Sequence, residues 1–462
     1  MSIKEELDPF FDADSVAVVG ASRTTGPAAF NAVENMIEFG YDGDIYPVNP
    51  KADEILGRKA YDDIGEIEEK VEHALIIIPR KIVPNTVEGC VENGIPAVTI
   101  ATQGFAEVGG EGKELQEKLV EIVEGTDTRI VGPNTLGTHN LVDNFTMSFI
   151  PFKQRDYKPI GMVSQTGLWS ASVSGLPYAK ELDIGNACDV DHVDALRYYK
   201  QDSDVEQIFM HMEGLDPSRG RELLNVAKET IEEEGKSVII LKSGWSEAGS
   251  EHAASHVGAL AGESKIFDGA FKQSGIVRVK NSRGGEIASK ALLELPGMSG
   301  NRIGMITHHG ASGTLAIDWC EEHDLELPEL SNETIKTLEE ISPDWLGIGN
   351  PLDIWPALMG GPEKTHRAII EAVLEDENAD GILLSLHIAD PTTWDLGVYG
   401  HIDALKDLVP QYDKPVIVYP VGTEQGETRK ELAKIENVSV ADSIEDAMRS
   451  FHILYRSGKG EK

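Results

Sequence analysis

Short apolar runs punctuate the chain at regular intervals, with mixed polar and apolar stretches between them. Residues 15–19, 45–48, 74–78, 97–100 and 129–131 read as strands, and stretches such as 28–39 and 112–124 carry a helical pattern. Strands alternating with helices predict a parallel sheet covered on both faces. The plan recurs downstream. Residues 161–163, 207–212 and 237–241 read as strands of a second segment, and 302–307, 380–386, 415–419 and the weaker 437–440 as strands of a third. The expected fold class is α/β: a Rossmann-like domain over 1–144, then two flavodoxin-like doubly wound domains over 145–290 and 291–462. A length of 462 residues suits about three domains.

Composition narrows the possibilities. The chain is 40% hydrophobic, ample for sizeable cores, and carries a net charge of −38. That charge argues against nucleic acid or an anionic membrane surface as a partner. It is compatible with a salt-rich cytoplasm and equally with a plain solvated acidic surface. Residues 1–14 are acidic and have no apolar h-region, and there is no run of about 18 apolar residues, so neither a signal peptide nor a membrane span is expected. Cys90, Cys188 and Cys320 are far apart and odd in number, which fits no disulfide framework. A cytoplasmic protein is the expectation.

Candidate chemistry clusters at strand ends. The first strand runs into Gly20-Ala21-Ser22-Arg23-Thr24-Thr25-Gly26. A glycine-bearing turn before a helix is a natural seat for a pyrophosphate, although it is neither GxGxxG nor a Walker A loop; a tight βα turn is the alternative. Lys51, after the second strand, stands where a nicotinamide enzyme favours an acidic ribose ligand. A basic residue there favours a phosphate-rich ligand such as coenzyme A over NAD.

In the second segment, Ser164-Gln165-Thr166-Gly167 forms a strand-to-helix turn, either an anion seat or a plain helix cap. Glu213 follows another strand and stands where open α/β sheets bind ligands, or else is a solvated loop acid. Residues 183–194 hold four Asp and one His without a metal-binding spacing, and read as a polar loop. His256 lies in S-E-H-A-A-S-H-V-G-A-L-A-G-E, residues 250–263, among small residues that leave an imidazole uncrowded. A loop histidine without chemistry is the alternative. His308 and His309, adjacent after a strand, point in different directions and read as structural. No metal site is expected on the chain.

The motifs V-V-G-A-S, I-Y-P-V-N-P-K, I-I-I-P, G-P-N, V-S-Q-T-G, E-G, L-K-S-G and S-H-V-G-A-L-A-G occur in this order along nearly the whole chain. In this the sequence resembles the α subunit of ADP-forming acyl-CoA (acetyl-CoA) synthetases, of the succinyl-CoA synthetase superfamily. The resemblance implies an acid–thiol ligase that exchanges acyl-CoA, phosphate and ADP with carboxylic acid, CoA and ATP, through an acyl phosphate and a phosphohistidine. It implies His256 as the phosphorylated residue, Glu213 as its partner, and phosphate on Ser164, Gln165, Thr166 and Gly167. It places coenzyme A against Gly20, Ala21, Ser22, Arg23, Gly26, Lys51 and Pro79.

Three positions depart from the family pattern. Thr135 stands where relatives often carry Cys, the region after Gly167 is shorter than usual, and His308-His309-Gly310 is bulkier. No ATP-grasp domain follows the third segment. Mg2+ and ADP or ATP are therefore expected on an ATP-grasp β subunit, in an α2β2 assembly. A CoA-binding regulatory or scaffold protein without turnover is the alternative, disfavoured by the intact His256 and Glu213. A dinucleotide-dependent dehydrogenase is disfavoured by Lys51.

Overall fold

The structure, a computed structural model, describes residues 2–26, 29–167, 175–246, 248–249, 264–358, 362–388, 398–422 and 426–457. It divides into two compact units, Met1–Gly285 and Glu286–Lys462.

The first unit holds two sheets. Strands β1 (Ser15–Val19), β2 (Asp44–Val48), β5 (His73–Ile76), β6 (Ala97–Ile100) and β7 (Arg129–Val131) pair in parallel in the order β2-β1-β5-β6-β7. A short antiparallel hairpin, β3 (Glu54–Ile55) and β4 (Arg58–Lys59), stands apart. Every residue of β1, β5 and β6 is buried, as expected of parallel strands covered on both faces. Helices Ala32–Phe39, Val83–Glu92 and Glu111–Val123 connect the strands.

The second sheet contains β8 (Thr138–Asn140), β9 (Phe145–Met147), β10 (Ile160–Ser164), β11 (Lys180–Asp183), β12 (Gln207–Met212), β13 (Ser237–Lys242) and β14 (Val277–Val279). Their order is β14-β13-β12-β10-β11-β8-β9. The core from β10 to β14 is parallel, and the β8–β9 hairpin extends it antiparallel through β11. Its strands lie on either side of residue 144, the expected end of the first segment.

The second unit carries β15 (Ile303–Thr307), β16 (Leu352–Asp353), β17 (Gly381–Ile388), β18 (Val416–Gly422) and β19 (Val438–Val440), parallel in the order β16-β15-β17-β18-β19. In all three sheets the first parallel strand lies between the second and the third. The chain therefore reverses its winding direction beside that strand, and doubly wound sheets bind ligands in the crevice this leaves at the carboxyl ends.

Within the first unit the two sheets share a core. Leu7, Phe10 and Phe11 from the N-terminal segment pack with Val131 of β7 and with Val163, Leu182, Tyr198 and Tyr199. An ion network ties the same elements together. The Arg129 guanidinium donates to Asp189 at 2.9–3.1 Å, to Glu6 at 3.0 Å and to Asp194 at 3.3 Å. Arg219 donates to Asp191 and Asp194, both at 2.8 Å. Asp191 also caps the helix His192–Gln201 through a capping box. The acidic stretch 183–194 is thus a strand end, the expected polar loop, and a helix cap, with its carboxylates held by two arginines.

The Arg129 side chain is only 19% exposed, so its loss would leave several carboxylates poorly compensated. Arg129→Met is expected to cost about 3 kcal/mol of first-unit stability in urea unfolding. A cost below about 0.5 kcal/mol, the range of an ordinary surface change, would show that the network contributes nothing.

Candidate functional site

At the carboxyl edge of the first sheet, the turn after β1 is shaped by close backbone approach. Gly20 has φ +89, and a Cβ there would lie 2.2 Å from the Ile77 carbonyl oxygen. Its N–H donates to Val48 O at 2.9 Å, which binds the turn to the end of β2. Asn49 Nδ2 donates to Ala21 O at 2.8 Å, and Arg23 Nη1 to Lys51 O at 3.2 Å. Asn31 closes the loop from the other side, donating to the Ser22 and Thr24 carbonyls and capping the following helix.

Gly20, Ala21, Ser22, Arg23, Gly26 and Lys51 thus gather at the switch point beside β1, and Pro79 follows the end of β5. Arg23 and Lys51 are exposed there. The Gly26 N–H is used internally, donating to the Glu34 carboxylate at 2.8 and 3.0 Å. Asn31 and Asn49 were missed in the sequence because their work is to hold the loop, which no spacing announces.

The second sheet builds the other centre. Ser164 ends β10, and its buried hydroxyl donates to Glu181 Oε1 at 3.3 Å. Gln165 is buried, and its Oε1 accepts the backbone N–H groups of Glu213 at 2.7 Å and Gly214 at 3.1 Å. Lys242, the last residue of β13, donates Nζ to the Glu213 carbonyl at 2.8 Å and to the Ser243 carbonyl at 2.6 Å. The Glu213 peptide groups are therefore gripped from both sides, at the crevice between the first and third parallel strands. Sequence reasoning placed Gln165 and Glu213 separately, and it missed Lys242.

The surroundings set the charges. Burial, the nearby Arg278 and the partly offsetting Glu213 bring the Lys242 ammonium down to about 8. His211 Nε2 lies 2.9 Å from Ser243 Oγ, and burial with neighbouring His192 and Lys242 pushes it down to about 4. His211 is thus neutral at pH 7. Gly167 packs where a Cβ would meet Leu136 at 2.2 Å and Asp183 Oδ2 at 2.8 Å, so any larger residue would displace one of these side chains. Thr166 beside it is exposed. Asp183 is fully buried and accepts N–H groups from Leu136 at 2.6 Å and Gly185 at 3.2 Å. Burial outweighs these bonds and pushes its carboxyl up to about 6. Thr135 donates to the Asp183 carbonyl and accepts from Gly137 N at 2.8 Å. Residues 168–174, the expected helical run after the turn, and 250–263 with His256 lie outside the described residues.

Two family profiles match this layout. A CoA binding domain profile matches residues 14–140, and a succinyl-CoA ligase-like flavodoxin domain profile matches 158–285. The alpha subunit of ADP-forming acetate–CoA ligase II from Pyrococcus furiosus is 32% identical over 461 residues, covering 98% of each chain. The chain belongs to the family of ADP-forming acetate–CoA ligase alpha subunits. It is an NDP-forming acyl-CoA synthetase subunit of α/β fold, with a CoA-binding domain followed by a flavodoxin-like one.

ADP-forming acetate–CoA ligase II of Archaeoglobus fulgidus is 34% identical over 387 residues, and the match spans only 57% of that longer polypeptide. Among solved structures, the dinucleotide-forming acetyl-coenzyme A synthetase 1 of Ca. Korarchaeum cryptofilum, with phosphate and ADP, superposes with a TM-score of 0.84 at 27% identity, over 98% of this chain and 97% of that one. The name "alpha subunit" in the Pyrococcus relative implies a partner subunit in that enzyme. Among the described residues of the present chain, no helix is long and apolar enough to cross a membrane.

Asp183 supplies a pH test. Its folded value, about 6, lies above the ordinary 3.8. Between these values the folded chain holds more protons than the unfolded one, so this group lowers stability as pH rises through the window. The stability of the wild type relative to Asp183→Asn is expected to fall by about 1–3 kcal/mol between about pH 4 and about pH 6. Urea titrations at stepped pH measure it, and a flat difference would contradict the burial argument.

Proposed function

We propose that this chain carries out the acyl- and phosphoryl-transfer half of the synthetase reaction, with the nucleotide site on a partner. The observation that supports this most is the double grip on the Glu213 peptide groups, which fixes a carboxylate-bearing residue beside the Ser164–Gly167 turn.

The chemistry runs as follows. Acyl-CoA binds with its nucleotide end against Gly20, Ala21, Ser22, Arg23, Gly26, Lys51 and Pro79. Phosphate binds at Ser164, Gln165, Thr166 and Gly167, where backbone N–H groups offset its charge within an acidic chain. Thr166 and Gly167 supply the accessible part of that seat; Ser164 and Gln165 shape it through Glu181 and Glu213. A phosphate oxygen attacks the thioester carbonyl, the CoA thiolate leaves, and acyl phosphate forms. The imidazole of His256 then attacks phosphorus and releases the carboxylate. Glu213 orients that imidazole and supports the cation that develops on it. The phosphoryl group passes from His256 to ADP on the partner.

The partner we propose is an ATP-grasp β subunit in an α2β2 assembly, and Mg2+ accompanies the nucleotide there. No residue of this chain is assigned to Mg2+. The Korarchaeum structure, which holds phosphate and ADP, supports the choice of phosphoryl acceptor. We place the reaction in the cytoplasm.

Glu213→Gln tests the assignment. The backbone contacts to Gln165 and Lys242 survive the change, so the urea midpoint should barely move. The turnover of the complex with its partner should fall about 10²-fold or more, as for a lost catalytic partner. A fully active variant would remove Glu213 from the mechanism.

A further inference from the structure

The second unit holds a histidine cluster that the phosphoryl chemistry does not use. His308 follows β15, His366 lies in the first turns of the helix Pro362–Glu375, and His401 in the first turn of the helix Val398–Leu408. The three are 3%, 0% and 1% exposed. One ligand nitrogen from each lies within 4.8 Å of the other two. His308 Nε2 and His401 Nε2 are 3.2 Å apart, and the His366 and His401 rings are 3.2 Å apart at their centroids. Aromatic pairs prefer about 4.5–7 Å, so the second pair is crowded beyond ordinary stacking.

We propose that His308, His366 and His401 form a binding site for a nitrogen-preferring divalent transition ion of the zinc class. Two nitrogens on a tetrahedral ion with bonds of about 2.0–2.1 Å stand about 3.3 Å apart, close to the His308–His401 separation. Imidazole ligands select Zn2+, Co2+, Ni2+ or Cu2+ over Mg2+ and Ca2+, which require oxygen. The location agrees. β15 lies between β16 and β17, so the cluster sits at the switch point of its sheet, where this architecture forms ligand crevices. Three protein nitrogens leave a fourth position for water or a small ligand.

The proton balance follows from the hydrogen bonds. His308 Nδ1 accepts the His387 N–H at 3.1 Å, so the ring proton is on Nε2 and points at His401 Nε2. An ion bound at Nε2 takes the place of that proton, so His308 binds in the other neutral tautomer and gives up the His387 N–H bond. His366 and His401 bind through neutral rings.

The test uses the full chain, stripped with chelator, and Co2+ as the probe. At about pH 8, where free imidazoles are neutral, the wild type is expected to bind one Co2+ per chain and to show the intense visible band of tetrahedral Co2+. Zn2+ should bleach the band. His366→Ala and His401→Ala should each weaken binding by about 100-fold or more, as when a metal site loses essential support. His256→Ala should leave it unchanged. If a variant misfolds, the wild-type band still decides the matter. Absence of the band in the wild type would overturn the site. So would its survival in the His366 and His401 variants, or its loss in His256→Ala.

Discussion

One amide oxygen governs the candidate phosphoryl centre. Gln165 Oε1 receives two successive backbone N–H groups, from Glu213 and Gly214, 48 and 49 residues away in sequence. A buried peptide N–H without an acceptor costs about 1–3 kcal/mol, so this side chain and the strand end it holds depend on each other. Lys242 completes the grip on the carbonyl side. The result is a carboxylate-bearing residue whose backbone is fixed on both sides. That arrangement separates positioning from chemistry, so Glu213 can be exchanged for its amide without disturbing what holds it.

The electrostatics are local throughout. A chain of net charge −38 repels its own substrates, all of which are anionic. Attraction must come from N–H groups and a few placed cations. In the mechanism proposed above these are the turn after Gly20 with the exposed Arg23 and Lys51 at the first sheet, and the turn around Thr166 at the second. Other cations serve the fold. Arg129 and Arg219 neutralise the Asp189, Asp191 and Asp194 group, and Lys180 is buried between Asp202 and Asp204.

Much of the architecture was legible because parallel strands buried on both faces leave unbroken apolar runs, as in residues 15–19 and 237–241. The strands that escaped notice are those whose burial is achieved differently. In β11, Lys-Glu-Leu-Asp is fully buried, its lysine satisfied by two distant aspartates and its Asp183 by backbone N–H groups. The β8 strand is Thr-His-Asn, with Thr138 and Asn140 bonded to the Phe10 and Phe11 carbonyls. β14 is Val-Arg-Val and only partly buried, and β16 is two residues long, so neither leaves an apolar run. The site was legible to the same extent. Strand-end positions pointed to Ser164–Gly167 and Glu213, but Gln165 as a clamp, Lys242, and the joining of His308 with His366 and His401 are tertiary facts without a spacing signature.

The account stands on a phosphoryl group reaching His256 from substrates bound on this chain. The direct measurement is to incubate the purified chain, without its partner, with acyl-CoA and labelled inorganic phosphate, and to map the label. Acid-labile, base-stable phosphate on His256, abolished in His256→Ala, is the predicted result. Label on another residue, unaffected by His256→Ala, would contradict the account, as would labelling of the isolated chain directly from ATP.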